Sequence, residues 1–122
     1  MLVQIAQRVE DRARATAFYR DVVGLPLLGE FDPPGLSFLD LGGTRLLLEA
    51  NAPSALLYIG VDDIDARRAA MEAAGVTFVD DIHRIHVHDG QLGQPAGTEE
   101  WMTFFRDSED NLVALCEVRP PS

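Results

Sequence analysis

The sequence contains no lysine; all ten of its strongly basic side chains are arginines. Schiff-base chemistry is therefore excluded, because a guanidinium keeps its proton where an amine can lose one. A single cysteine, Cys116, forbids an internal disulfide and suits the reducing conditions of the cytoplasm. No apolar run approaches the roughly 20 residues that span a bilayer. The opening Met1-Leu2-Val3-Gln4 reads as a strand start, with neither a basic n-region nor a long apolar h-region. Basic charge is scarce overall, ten arginines against twenty acids, for a net charge of −10. Nucleic acid and anionic membrane both need a basic face, so neither is an expected partner. No glycine-rich phosphate loop, Ser/His/Asp order or Cys-x-x-Cys pair is present. What remains is 122 residues of ordinary globular balance, 47% hydrophobic and 25% charged. That is room for one domain with a single core.

Periodicity divides the chain into two similar halves. Residues 2–9 alternate as a strand, with Val3, Ile5 and Val9 on one face, although Gln7 interrupts it. Asp11 reads as an N-cap, Ala15, Phe18, Tyr19 and Val22 as an apolar helical stripe, and Gly24 as the stop. Strands follow over residues 25–28, 36–41 and 44–49, the last two joined by the turn signal Gly42-Gly43. The order then returns: a strand at 56–61, Asp62-Asp63 capping a helix to Ala74, Gly75 as its stop, and a strand at 76–79. Residues 80–100 form a long excursion before two final strands, Trp101–Phe105 and Leu112–Cys116. Between these strands Asp107-Ser108-Glu109-Asp110-Asn111 supplies turn-forming side chains. The expected fold is α+β, two βαβββ modules over residues 1–50 and 55–118 of a single domain, residues 1–122.

Three stretches carry a resemblance: Val9-Glu10-Asp11 with Phe18-Tyr19-Arg20-Asp21-Val22-Val23-Gly24-Leu25, Val61-Asp62-Asp63-Ile64-Asp65-Ala66, and the final hairpin F-R-D-x-x-x-N-L. In order and spacing they resemble the glyoxalase/bleomycin-resistance/dioxygenase family, also called vicinal oxygen chelate proteins. The resemblance implies that the two modules pair into a curved mixed sheet around a cleft, and that the chain forms a homodimer. Metal-dependent members place one ligand on the first and last strand of each module. Carried onto this chain, those positions fall at Gln4, Glu49, Leu56 and Ala114. The third residue after Asn111 would be a glutamate in such members, and here it is Ala114. Half the ring lacks a donor, so no metal and no other cofactor is expected.

The resemblance thus implies a protein that binds a small molecule in its cleft without a stoichiometric metal, as the bleomycin-resistance branch does. The acidic balance would suit a cationic ligand. The alternative is a lyase or isomerase of glyoxalase type, with Glu49 as general base and Gln4 orienting the substrate. The favoured reading of Glu49 is instead a partly solvated carboxylate paired with an arginine, since Arg45 shares its face and Arg8 shares that of Gln4. His83, His86 and His88 lie in D-D-I-H-R-I-H-V-H-D-G, either as a polar arm or dimer edge or as a source of acid or base over the cleft. The expected ligand-binding residues are Arg8, Arg45, His86, His88, Trp101 and Phe105. For the two aromatics the core is the competing reading, because one set of the 101–106 alternation must pack on helices.

Overall fold

The structure is a computed structural model, describing residues 2–122, and its chain forms two compact units. The first runs to Leu56 and also takes in Arg106–Asn111; the second comprises Leu57–Phe105 and Leu112–Ser122. Each unit is an α+β module with one four-stranded mixed sheet, as the repeat in the sequence implies.

In the first unit the elements are β1 (Gln4–Arg8), α1 (Arg12–Ala17), β2 (Leu27–Phe31), β3 (Leu36–Asp40) and β4 (Arg45–Glu49). The sheet order is β1-β4-β3-β2, with β1 and β4 parallel and the other pairs antiparallel. Asp11 caps α1 as expected, its carboxylate accepting from the Arg14 N–H at 3.0 Å. The helix then widens into a π-helical segment, Phe18–Val23, closed by Gly24 at φ 90° with its N–H on the Tyr19 carbonyl. That wider turn places Val23 in the core instead of Val22, the residue that a uniform α-helical period picks out.

The residues facing α1 are Gln7, Ser37, Leu39, Leu46 and Leu48, all fully buried. Gln7 breaks the apolar pattern for a structural reason: its side-chain oxygen accepts the Ala55 N–H at 2.9 Å, so the linker after β4 is tied to β1. Thr16 and Ser37 satisfy each other the same way at 2.8 Å. By alternation the opposite face of the sheet carries Gln4, Ala6, Arg8, Arg45, Leu47, Glu49 and Phe38, and no helix of this unit covers it.

The second unit holds β5 (Leu57–Gly60), α2 (Ile64–Ala73), β6 (His83–Val87), β7 (Glu99–Arg106) and β8 (Leu112–Arg119), ordered β5-β8-β7-β6. Asp63 caps α2 and Gly75, at φ 92°, follows its end. The strand expected over 76–79 is reduced to a bridge between Phe78 and Phe105. Asp80 is the reason: its carboxylate takes the Phe104 N–H at 2.8 Å, filling a position a strand carbonyl would occupy. The strand next to β7 is instead β6, inside the stretch the sequence leaves as an excursion.

Turn Arg106–Asn111, which joins β7 to β8, is fastened into the first unit by side chains. The buried Asp107 carboxylate accepts from the Tyr19 hydroxyl at 2.6 Å and from the N–H groups of Glu109 and Asn111. Burial, reinforced by the adjacent Asp107 charge, holds the Tyr19 phenol well above its usual range. Glu109 reaches the start of α1, accepting the Glu10 and Asp11 N–H groups at 2.8 Å each and the Arg14 guanidinium at 2.8 Å. Burial alone would raise its pKa, but Arg14 and the Asp11 N–H outweigh burial and bring the carboxyl down to about 2.

Candidate functional site

The open face of the first sheet holds a hollow of about 320 Å³ lined by Gln4, Leu28, Gly29, Phe31, Phe38 and Arg45. A register shift between Leu27 and Gly29 in β2 bulges Leu28 out, and Phe31 and Phe38 meet edge to face at 5.7 Å. Gln4 and Arg45 are register partners on β1 and β4, and the Arg45 Nε–H donates to the Gln4 oxygen at 3.1 Å. Two of the expected site residues thus meet, in a largely apolar setting.

Glu49 stands apart from them. It pairs in register with Arg8, four residues along the strands from the Gln4–Arg45 pair, or roughly 13 Å at the usual strand rise. It is half-buried, and among the described residues its carboxylate has no hydrogen-bond or ion-pair partner. Arg8 is exposed; its backbone groups are bonded to Ser54 and Asn111, while its guanidinium pairs with no acid among the described residues. The arginine pairing expected for Glu49 is not made: Arg45 turns to Gln4. A base at Glu49 and an orienting amide at Gln4 would therefore serve opposite ends of the face.

Register also corrects the equivalence drawn between Glu49 and Ala114. Arg8 pairs with Glu49 and the Val9 N–H bonds to the Glu49 carbonyl; in the second unit Gly60 pairs with Cys116 and the Val61 N–H bonds to the Cys116 carbonyl. Cys116 is thus the counterpart of Glu49, and Leu47 is the counterpart of Ala114. The carry-over from family positions set the two last strands two residues out of step.

On the second sheet the open face carries Tyr58, Gly60, Glu100, Met102, Cys116 and Val118, which line a cavity of about 740 Å³. His86 is the register partner of Glu100, and His88 stands edge-on to His86 at 4.8 Å between ring centres. The expected ligand contacts Trp101 and Phe105 are corrected here. They lie on the other side of β7, where Phe105 is buried against Phe78. There, too, the Arg119 guanidinium stacks on Trp101 at 4.5 Å. Their neighbours Met102 and Phe104 take the open face, Phe104 meeting Tyr58 edge to face. Burial lifts the Cys116 thiol to about 11, with the Glu100 charge adding to it, so the sulfur stays protonated and is a poor nucleophile. Sequence reasoning missed Phe31, Phe38 and Leu28, and also Tyr58 and Glu100. Only Phe31 and Phe38 left a trace, as aromatics spaced across a turn-rich loop.

A family model, Glyoxalase/Bleomycin resistance protein/Dioxygenase superfamily, matches residues 1–115. The fold is similar to lactoylglutathione lyase from Agrobacterium tumefaciens, at 25% identity and TM-score 0.70, covering 96% of this chain and 92% of that one. It is also similar to TnmS3, an antibiotic binding protein from Streptomyces sp. CB03234, at 24% identity and TM-score 0.72 over 100% and 96% of the two chains. A superfamily member from Sphaerobacter thermophilus superposes with TM-score 0.76 at 19% identity, over 96% of each chain. No curated protein matches the sequence. The chain belongs to the glyoxalase/bleomycin-resistance/dioxygenase superfamily. Among the described residues no helix is long and apolar enough to cross a membrane.

The residues at the family's ring positions do not fit a transition metal. Leu56 and Ala114 offer no donor, nor does Leu47, the residue that register matches to Ala114. The Gln4 amide oxygen faces a guanidinium at 3.1 Å, whose positive charge opposes a second cation. Among the described residues no three His, Cys, Asp or Glu side chains gather as a metal site.

Proposed function

We propose that the protein binds a small aromatic molecule in the hollow of the first sheet and releases it unchanged. One observation carries this reading: the hollow is walled by Leu28, Phe31 and Phe38, and its polar lining is an amide and a guanidinium already bonded to each other. Neither group is a general base at neutral pH, and the Glu49 carboxylate is not part of the lining. Arg45 spends one of its five donors on Gln4, which leaves others for an acceptor group on the ligand. The likeness to an antibiotic binding protein supports the same reading.

A thermal-shift panel of aromatic carboxylates, glyoxals and antibiotics supplies the ligand, since binding raises stability by mass action. Phe38→Ala is then expected to weaken that ligand about tenfold or more, and Glu49→Gln to change its affinity less than about twofold. The glyoxalase-type reading makes the opposite demand. With Glu49 as base, Glu49→Gln would lower turnover by roughly 10²–10⁴-fold while binding survived. Steady-state kinetics on the panel hits separates the two, and measurable turnover that collapses in Glu49→Gln would replace the binding reading by the enzymatic one.

We further propose a cytoplasmic homodimer. The free Cys116 thiol suits a reducing compartment. The edge strand β6 is exposed at every residue, Ile85 and Val87 included, and an uncovered apolar edge invites pairing with a second copy. Ile85→Lys is expected to shift the sedimentation coefficient from dimer to monomer; a wild-type monomer at micromolar concentration would refute the dimer.

A further inference from the structure

The second sheet's cavity has a charge arrangement that the first-sheet hollow lacks. Glu100 lines it, with its side chain 24% exposed, and Asp62 stands at its rim; no arginine contributes to the lining. Arg68, Arg84 and Arg119 have partners elsewhere. Arg68 bonds to Asp80 and Thr103, Arg84 to Glu99, and Arg119 to Glu117 and Asp65 while stacking on Trp101. The carboxylate on the open face therefore has no full-time counter-charge.

Its basic neighbours are His86, its register partner on β6, and His88, whose side chain is only 1% exposed and whose Nε2 lies 3.3 Å from the Glu100 Oε1. The contact lacks hydrogen-bond alignment, and neither ring nitrogen of His88 has a hydrogen-bond partner among the described residues. A buried imidazole with both nitrogens unpaired is costly, and it is aimed at the carboxylate that lines the cavity. The remaining walls are Tyr58, Gly60, Val61, Met102, Cys116 and Val118, with the neutral amide of Gln94.

We propose that this cavity binds an organic monocation, an amine or guanidine carried on an apolar body, with Glu100 as its counter-charge. The volume of about 740 Å³ accepts a molecule of drug size. The half-buried carboxylate gains a charge-assisted hydrogen bond from an ammonium, and Tyr58 adds an aromatic ring to the same lining. The net charge of −10 steers cations towards the protein and anions away. This cavity shares no lining residue with the first-sheet hollow, and the proposal does not rest on the reading of that hollow.

The test uses 4-phenylbutylamine, with 4-phenylbutanol and 4-phenylbutyrate as the uncharged and anionic analogues, titrated calorimetrically into the intact protein. The amine is expected to bind at least tenfold more tightly than the alcohol, and any heat from the acid to be unchanged by Glu100→Gln and by filling of this cavity. Glu100→Gln is expected to erase the preference for the amine over the alcohol. Gly60→Leu is the second variant. Gly60 lines the cavity, a Cβ there meets nothing within 4 Å, and its backbone is outside the left-handed region. The leucine should project into the cavity with no clash at its Cβ, weakening amine and alcohol alike while the thermal midpoint stays within a degree or two of wild type. Equal affinity for amine and alcohol in the wild type, no amine binding at all, or full amine affinity in a folded Gly60→Leu would each overturn the proposal.

Discussion

Glu109→Ala is expected to destabilise the protein by about 3 kcal/mol and to lower its thermal midpoint by roughly 10 °C. The side chain is almost wholly buried and serves three donors: the Glu10 N–H, the Asp11 N–H and the Arg14 guanidinium. Alanine leaves the two N–H groups without their acceptor and returns the half-exposed Arg14 guanidinium to solvent, while the turn that carried the carboxylate loses its anchor. The acid limb of stability provides an independent check. The folded carboxyl sits at about 2 against an ordinary value of 4.5, so folding favours the ionised form. That contribution is complete above about pH 4.5 and is lost as the pH falls towards 2, amounting to about 3 kcal/mol over the window. Urea unfolding of wild type and Glu109→Gln across this range should show a steep limb in the first and a shallower one in the second. Parallel limbs would mean that the carboxylate is not held as described.

Phe105→Ala is expected to cost about 3–5 kcal/mol, the range for emptying a fully buried aromatic site. Phe105 has no exposed surface, stacks obliquely on Phe78 at 5.4 Å between ring centres, and shares a backbone bridge with it. The Arg68 guanidinium stacks on Phe78 at 4.5 Å and is itself held by Glu72 and Thr103, so the ring beside the new cavity has little freedom to collapse into it. Phe105→Leu, which keeps most of the volume, should recover more than half of the loss. Denaturant midpoints at constant m-value measure both; a loss under about 1 kcal/mol for alanine would show that the ring is not a core residue.

These two positions illustrate how far sequence carries. Asp11, Gly24, Asp63 and Gly75 are local signals, each acting through its own backbone and the next few residues, and each is found where the sequence puts it. The turn Asp107–Asn111 was legible as a turn for the same reason. Its role as an anchor was not, because Tyr19 and Arg14 lie 88 and 95 residues away along the chain. Glu109 looks from sequence like any exposed acid in a polar bend.

The site shows the same division. Alternation placed Gln4 with Arg8 and Arg45 with Glu49, each pair on one face, but within a strand it cannot say which residue of the neighbouring strand stands alongside. The β1–β4 register supplied that, joining Gln4 to Arg45 and moving Glu49 to the far end of the face. Nor could alternation choose between the two sides of Trp101–Arg106, since both are rich in aromatics. The choice fell to Thr103 and Phe105, which pack with Arg68 of α2 and with Phe78, leaving Met102 and Phe104 for the open side.

By itself, then, the sequence determined the family, the doubled βαβββ order, the caps and stops of both helices, and the want of donors at Leu56 and Ala114. These depend on composition and on contacts a few residues apart. The tertiary structure alone decided which side chains share a face, which aromatics are core, and which acids are latches and which have no partner among the described residues. Each of those is settled by strand register and by partners dozens of residues away, where a shift of two positions exchanges Glu49 for Leu47 and leaves the local pattern unchanged.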